Sequence, residues 1–127
     1  MNETCLIVLP LPSGLLSPNR PCGSHGSRMA RYRVSAHARL LAKNAAIDAQ
    51  VESGPWTMAT VAAVFFHKIE RRRDDINHMA MLKPYYDGIV ESGLLEDDDS
   101  KHLTTLPAKF EIDKKFPRVE LTFTRIE

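Results

Sequence analysis

The sequence predicts a small single domain of the α/β (α+β) class, with helices packed on a mixed sheet in the order β-α-β-α-β-β. Its length of 127 residues suits one hydrophobic core. The hydrophobic content of 43% and the charged content of 26% are those of a globular protein. Apolar segments with strand-like and helical spacing alternate along the chain, and the last one, RVELTFTRIE, alternates strictly between apolar and polar residues. We therefore treat residues 1–127 as one domain.

The first half of the chain predicts one strand, one long loop and one helix. The run TCLIVL at 4–9 is short, apolar and followed by proline, as is typical of a strand. Residues 12–27 are rich in Pro, Gly and Ser, which predicts an irregular loop of a length that is often mobile. From Arg28 to Val51 the spacing is helical. The predicted buried stripe of this helix consists of Ala30, Val34, Leu41, Ala45 and Ala49.

The second half predicts a strand, a helix and two further strands. Residues 56–70, WTMATVAAVFFHKIE, are apolar on both faces, which predicts a strand covered on both sides. A helix then begins or kinks near Pro84 and ends at Gly93, a residue type favoured just after a helix C-terminus. KHLTTLPAKFEI and RVELTFTRIE predict the last two strands. The predicted buried face of the helix consists of Leu82, Tyr85, Tyr86, Ile89 and Val90.

The sequence predicts neither a membrane segment nor a disulfide. Its apolar runs are far shorter than the roughly 20 residues that span a bilayer. The N-terminal run CLIVLPLPSGLL lacks a basic leader and is interrupted by Pro10 and Pro12, unlike a signal peptide. Cys5 and Cys22 have no CxxC partner and no histidine pair at zinc spacing, which indicates reduced thiols in a cytoplasmic protein.

The charges are separated along the chain although they nearly cancel, with a net charge of +1. Residues 1–47 contain six basic side chains and one acid, and acids concentrate between 87 and 99. This separation lets a basic surface contact phosphate while a group of carboxylates lies within it. Arginine binds phosphate through two parallel hydrogen bonds. The arginines predicted to contact a DNA backbone are Arg28, Arg31, Arg71, Arg72 and Arg73.

Two groups of aspartates flank the predicted second helix. Asp74 and Asp75 precede it, and Asp97 and Asp98 follow it. Clustered carboxylates repel one another unless protons or a cation neutralise them, and oxygen ligands alone favour Mg²⁺ or Mn²⁺. Such an ion activates water and neutralises charge that builds on a phosphate. The helix carries the chain about 20 Å at 1.5 Å per residue, so the groups meet in one subunit only if the chain folds back, and otherwise across a subunit interface.

A lysine stands between these two groups of acids. Lys83 and Asp87 are four residues apart on one helical face, and a lysine facing a carboxylate–metal site stabilises charge on a scissile phosphate. The spacing alone favours the structural alternative. Acids after a helix are commonly a solvated loop, Lys83 with Asp87 is a common surface pair, and RRRDD is a common surface ion-pair network.

Residues 71–100, RRRDDIN…LKPYYDGIVESGLLEDDDS, resemble the RusA family of Holliday junction resolvases, and LPLPSGLLSPNR resembles the family's first strand and loop. The family pattern is Arg-Arg-Asp-x-Asp-Asn, a helix with Lys and Asp, a Gly, and then Asp-Asp. The resemblance implies a small α/β homodimer that acts as a Mg²⁺-dependent endodeoxyribonuclease on four-way DNA junctions, with Mn²⁺ as a substitute. It also implies a role in recombination, repair or phage DNA processing, in the bacterial cytoplasm.

The resemblance assigns roles to individual residues by motif position. Asp74 takes the first acid position, Asp98 takes the late one with Asp97 beside it, and Lys83 takes the position of the lysine that contributes to catalysis. Asp75 stands next to the first position. The expected Mg²⁺ ligands are therefore Asp74, Asp75 and Asp98, with Asp97 as an alternate.

The chain departs from the family pattern at one acid. The second Asp of the motif falls on Ile76, or on Asn77 if Asp75 is taken as the first. Two other hypotheses therefore stand beside the nuclease: a DNA-junction binding protein that does not cleave, and a structural protein with a solvated acidic loop. Within the enzyme class, flaps and replication forks are alternative substrates.

Overall fold

The computed structural model describes residues 3–21, 23–71 and 73–126. In this part of the chain, three helices pack on one face of a five-stranded mixed sheet, so the predicted α+β class is confirmed. A short 3₁₀ turn at Gly14–Leu16 precedes the first helix. The helices are α1 (His25–Asp48), α2 (Asp75–Ala80) and α3 (Lys83–Ser92). The strands are β1 (Thr4–Leu9), β2 (Ala59–His67), β3 (Leu103–Thr105), β4 (Lys109–Ile112) and β5 (Arg118–Arg125).

Strand β2 lies in the middle of the sheet and organises its topology. It pairs antiparallel with β5, which in turn pairs antiparallel with β1. On its other side β2 pairs parallel with β3 and then with β4. The segment KHLTTLPAKFEI, predicted as one strand, is therefore two strands. Pro107 has no amide hydrogen to donate, so the pairing is interrupted around it and resumes at Lys109.

The helices cover one face of the sheet, and the alternating residues of the central strands form the core on that face. Val119, Leu121 and Phe123 of β5 are fully buried, as their alternation predicted. In β2, however, only every second residue is buried, and the prediction that this strand is covered on both sides is wrong. On its second face the guanidinium of Arg118 in β5 lies over the Phe66 ring, and the β2 residues of this face are half-buried: Thr60, Ala62, Val64 and Phe66.

Helices α1 and α3 pack so closely that their backbones are in contact at Gly88. A Cβ atom added to Gly88 would lie 2.1 Å from the carbonyl oxygen of Arg39, so only small side chains fit at this crossing. The buried residues of α1 are accordingly alanines spaced by four: Ala38, Ala42 and Ala46. The predicted stripe is wrong: its members are half-buried, or exposed at Ala49, and none is among the buried alanines. The helix spans His25–Asp48 rather than 28–51. Ser24 caps its N-terminus by accepting a hydrogen bond from the Ser27 amide.

The predicted second helix is divided into α2 and α3 at Met81 and Leu82. Pro84 occupies the first turn of α3, where no amide hydrogen is needed. Gly93 follows α3 with a φ of 91°, which confirms the predicted end of this helix. Most of the predicted buried face is confirmed, with Leu82, Tyr85, Tyr86 and Ile89 all buried.

Two further predictions concern the cysteines and membrane segments. Cys5 is buried in β1, and burial raises the pKa of its thiol. Cys22 lies outside the described residues. Among the helices that the structure describes, none combines the length and the apolar character needed to cross a membrane.

Candidate functional site

Lys83 lies between two carboxylates at the start of α3. Its Nζ is 2.5 Å from Oδ2 of Asp98 and 3.0 Å from Oδ1 of Asp87. The side chain of Asp98 is only 11% exposed, whereas that of Lys83 is 61% exposed. The hydrogen bond to Asp98, more than any other contact, raises the pKa of Lys83 and keeps it cationic. The lysine and the late acid of the motif, far apart in the chain, therefore meet in one contact.

The loop that carries Asp98 is anchored to the start of β2. The Trp56 amide donates to the Leu94 carbonyl at 2.7 Å, and the Glu96 amide donates to the Trp56 carbonyl at 3.0 Å. The Ala59 amide donates to the carbonyl of His102 at 2.9 Å. Trp56 itself is 1% exposed, so these bonds attach the acidic loop to the rigid core.

The first acid group begins helix α2. Asp74 is its N-cap and accepts hydrogen bonds from the amides of Ile76 and Asn77 at 3.0 and 3.3 Å. Asp75 accepts a hydrogen bond from the Ala108 amide at 3.2 Å, which attaches α2 to the sheet. An ionised carboxylate has about four acceptor positions, so these bonds leave both side chains with capacity for another ligand. Both aspartates line an open cleft of about 610 Å³.

The two acid groups are not gathered around one point within the single chain. The carboxylate oxygens of Asp74, Asp75 and Asp98 do not all lie within 4.8 Å of one another. Among the described residues, a different set of side chains meets that distance. The reason is the strand register. Asp75 binds Ala108 near the middle of β2, whereas His102, at the end of the loop that carries the late acids, binds the first residue of β2. These two attachment points are roughly 13 Å apart at 3.3 Å per residue. A site shared between two subunits stays a prediction.

The group that does gather consists of Asp97, Asp99 and His102, and it could hold a metal ion. The Nδ1 atom of His102 is 2.7 Å from Oδ1 of Asp99. This hydrogen bond raises the pKa of His102 and lowers that of Asp99. This group differs from the predicted oxygen-only ligands, because an imidazole nitrogen joins two carboxylates. The expectation of Mg²⁺ or Mn²⁺ stays a prediction.

Asp99 and His102 were not among the metal ligands predicted from the sequence. The available signal was their spacing of three residues in DDDSKH, because an aspartate in a turn accepts hydrogen bonds from amides two and three residues later. Asp99 does this with the amides of Lys101 and His102, at 3.0 and 3.2 Å. The turn therefore presents the imidazole to the carboxylates that precede it.

Three of the predicted DNA-contacting arginines donate hydrogen bonds to backbone carbonyls, and Arg31 is the most constrained of them. Arg31 donates to three carbonyls of the N-terminal loop, those of Leu15, Ser17 and Arg20, at 2.8 to 3.2 Å. These bonds fasten residues 15–20 to α1, so part of the predicted irregular loop has a defined position. Arg73 donates to the Ile69 carbonyl at 3.0 Å and lines the acidic cleft.

The remaining arginines are less constrained. Arg28 donates to the Gly23 carbonyl at 3.1 Å near the exposed start of α1. Arg71 follows β2 on the protein surface, and Arg72 lies outside the described residues. A DNA contact by any of the five arginines stays a prediction.

No protein-family model matches the chain, and a search of curated proteins found no match either. The resemblance to the RusA family therefore stays a prediction based on motif residues.

Proposed function

We propose that this protein is a metal-dependent endodeoxyribonuclease that hydrolyses phosphodiesters in branched DNA, with four-way junctions as its main substrate and a homodimer as its active form. The observation that carries the proposal is the contact between Lys83 and Asp98. A solvated acidic loop does not require a carboxylate that is 11% exposed and bound to a lysine of the preceding helix. The contact places that lysine beside that acid, as we expect if both belong to one site.

In this proposal the basic residues of the chain bind phosphate groups of the DNA, and Lys83 also orients an acid. Lys83 stays cationic and lies where it can contact a phosphate oxygen while it holds Asp98 in place. Arg71 and Arg73 stand beside the acidic cleft and would hold the flanking DNA backbone.

The proposed metal ligands are Asp74, Asp75 and Asp98, with Asp97 as an alternate. Their ligand atoms do not lie within 4.8 Å of one another in the single chain, so we expect acids of a second subunit to complete the site. When bound, Mg²⁺ or Mn²⁺ supplies an activated water and neutralises charge on the phosphate. A DNA junction substrate would place this activity in the bacterial cytoplasm, in a host or a phage context.

A second function is favoured by one residue. Ile76 stands where the motif has its second acid, lines the acidic cleft and is 79% exposed. An apolar side chain there binds no cation, which favours a junction-binding protein that does not cleave. Such a protein would bind junctions with strong salt dependence, because its affinity would come from phosphate contacts.

The proposal is tested with a synthetic four-way junction, a flap and a linear duplex of matched sequence, each in Mg²⁺, Mn²⁺ or EDTA. We expect paired cuts in the junction with either metal, none in EDTA and much weaker cutting of the duplex. Salt-sensitive junction binding without cleavage would establish the second function. Equal affinity for junction and duplex, without cleavage, would contradict both functions.

A further inference from the structure

A cavity of about 300 Å³ lies at the carboxyl ends of the parallel strands β2 and β4. His67 and Ile112 are register partners at these strand ends, and both line the cavity. Ligands of open α/β sheets bind outside the carboxyl ends of parallel strands, so this position is a favourable one. The other lining residues that matter here are Phe110, Glu70, Arg71, Arg73 and Glu111.

His67 has a buried ring nitrogen with no hydrogen-bond partner. Its Nε2 atom is unpartnered among the residues that the structure describes. The ring itself is well packed. Phe110 lies nearly parallel to it, with ring centroids 6.3 Å apart, and His78 is edge-on with centroids 5.4 Å apart. This nitrogen is enclosed by the protein, and a buried polar atom without a partner costs free energy, so a turn of the ring that brings it to a ligand in the cavity is favoured.

The imidazole of His67 is neutral at pH 7. Burial, followed by the positive charges of its neighbours, lowers the pKa of His67 to about 4. A neutral imidazole has one nitrogen that donates and one that accepts, so His67 favours a polar, uncharged ligand group over an anion.

The other lining groups point to the same ligand chemistry. Phe110 and Ile112 supply apolar walls, Arg73 supplies hydrogen-bond donors, and Glu70 and Glu111 supply acceptors. Arg71 and Arg73 balance Glu70 and Glu111, so the lining has no net charge to hold a phosphate, whereas the edge of a nucleobase carries both donors and acceptors on a flat apolar ring. The volume lies at the lower limit of ligand pockets, roughly 300–1,000 Å³, which suits one base rather than a base pair.

We infer that this cavity is a nucleobase pocket, which takes one unpaired base of the DNA whose backbone lies at the acidic cleft. Arg73 lines both the pocket and the cleft, so a base in one is adjacent to a phosphate at the other. DNA as the source of the base rests on the proposed function. Branched DNA provides unpaired bases at its branch point, and the pocket would make cleavage depend on which base is there.

The test uses the full-length protein without metal and the four deoxynucleosides as probes, with deoxyribose 5-phosphate as the control. Nucleosides carry the base without phosphate, so they report on the pocket rather than on general attraction to DNA. We expect at least one nucleoside to shift the side-chain NMR signals of His67 and Phe110 in a saturable way, and deoxyribose 5-phosphate to leave them unchanged. Absence of shifts with all four nucleosides would overturn the inference.

A matched pair of variants separates the pocket from general effects of a larger side chain. Ile112→Trp fills the pocket, whereas Ile47→Trp places the same change on the exposed side of α1. We expect Ile112→Trp to weaken nucleoside binding at least about tenfold, and Ile47→Trp to change it less than about twofold. Equal affinity in the two variants would contradict the assignment.

Junction cleavage in Mg²⁺, measured on the same wild-type preparation, keeps the two proposals apart. Cleavage without nucleoside-induced shifts would overturn the nucleobase pocket alone. Shifts without cleavage would support the pocket and overturn the nuclease alone.

Discussion

At the scale of single residues, Lys83 links the two parts of the sequence that carry the site. It comes from the first turn of α3, and its strongest partner, Asp98, comes from the loop after that helix. The side chain of Asp98 is mostly buried, so the hydrogen bond and the positive charge of Lys83 replace the water that it has lost. The spacing of Lys83 and Asp87 in the sequence was visible as a helical pair, but the contact with Asp98 was not, because it depends on how the following loop returns.

Lys83→Met is expected to destabilise the protein through Asp98. The variant keeps most of the side-chain volume but leaves a nearly buried carboxylate without its cation, which should lower the free energy of unfolding by about 1–2 kcal/mol. Urea denaturation at neutral pH measures the change. Lys114→Met, in the exposed turn between β4 and β5, is the matched control and should change stability by less than about 0.5 kcal/mol. Equal effects would show that the contact adds no stability.

His67 is expected to titrate far below an ordinary histidine, with a pKa of about 4 instead of 6.5. The unfolded chain then binds a proton between these values that the folded chain does not, so the free energy of unfolding should decrease as the pH falls through this range. Imidazole NMR signals followed against pH measure the midpoint. A midpoint near 6.5 would show that Glu70 and Glu111, which line the same cavity, offset the burial and the positive neighbours of the ring.

At the scale of elements, the crossing of α1 and α3 holds the helix that carries Lys83. Gly88 of α3 allows the backbone of α1 to approach, and a Cβ atom there would overlap the Arg39 carbonyl. Gly26, in the first turn of α1, has nothing within 4 Å of an added Cβ. Alanine has a higher helix propensity than glycine at both positions, but only Gly26 has space for the added methyl group.

Gly88→Ala is expected to lower the free energy of unfolding by about 3 kcal/mol, because the helices must separate to accept the methyl group. Gly26→Ala, the matched control, should raise it by about 0.5–1 kcal/mol through better helix propensity. Thermal or urea unfolding of both variants measures the difference. Similar stabilities would show that α1 and α3 do not approach as closely as the structure indicates.

The elements that the sequence predicts well are those whose pattern is local. The alternation of β5 identifies its buried residues, and Gly93 identifies the end of α3. Long-range contacts decide the rest. The alanine row of α1 depends on Gly88 of another helix, and the division of β3 from β4 depends on both strands pairing with β2.

The same distinction applies to the candidate site. Lys83 and the aspartates were recognisable from their order in the chain, whereas their distances follow from sheet register. Asp75 is attached near the middle of β2 and the loop of Asp98 near its start, and the proposed ligand acids do not gather within 4.8 Å of one another in one chain. His102 joins Asp97 and Asp99 only through the geometry of a turn.

At the scale of the whole molecule, the separation of the two acid groups favours a site completed by two subunits. A dimer with two-fold symmetry would place two such sites so that they face opposed strands of a four-way junction. The open face of the sheet and the exposed start of α1 remain accessible for contacts of this kind.

Mixing two inactive variants tests whether the acids act across subunits. One variant carries Asp74→Asn with Asp75→Asn, and the other carries Asp98→Asn. If each site takes acids from both subunits, exchange between the variants should restore about a quarter of the wild-type sites and yield junctions nicked on one strand. A mixture as inactive as its components would show that each site uses the acids of one chain.

Cleavage of a four-way junction in Mg²⁺ by the wild type, Asp98→Asn and Asp48→Asn is the most direct test of the proposed nuclease. Asp48 is an exposed aspartate at the end of α1, so its variant controls for the loss of one negative charge. The wild type and Asp48→Asn are predicted to cut, and Asp98→Asn is predicted to lose activity by at least roughly 100-fold. Equal cutting by Asp98→Asn, or no cutting by the wild type, would contradict the proposal.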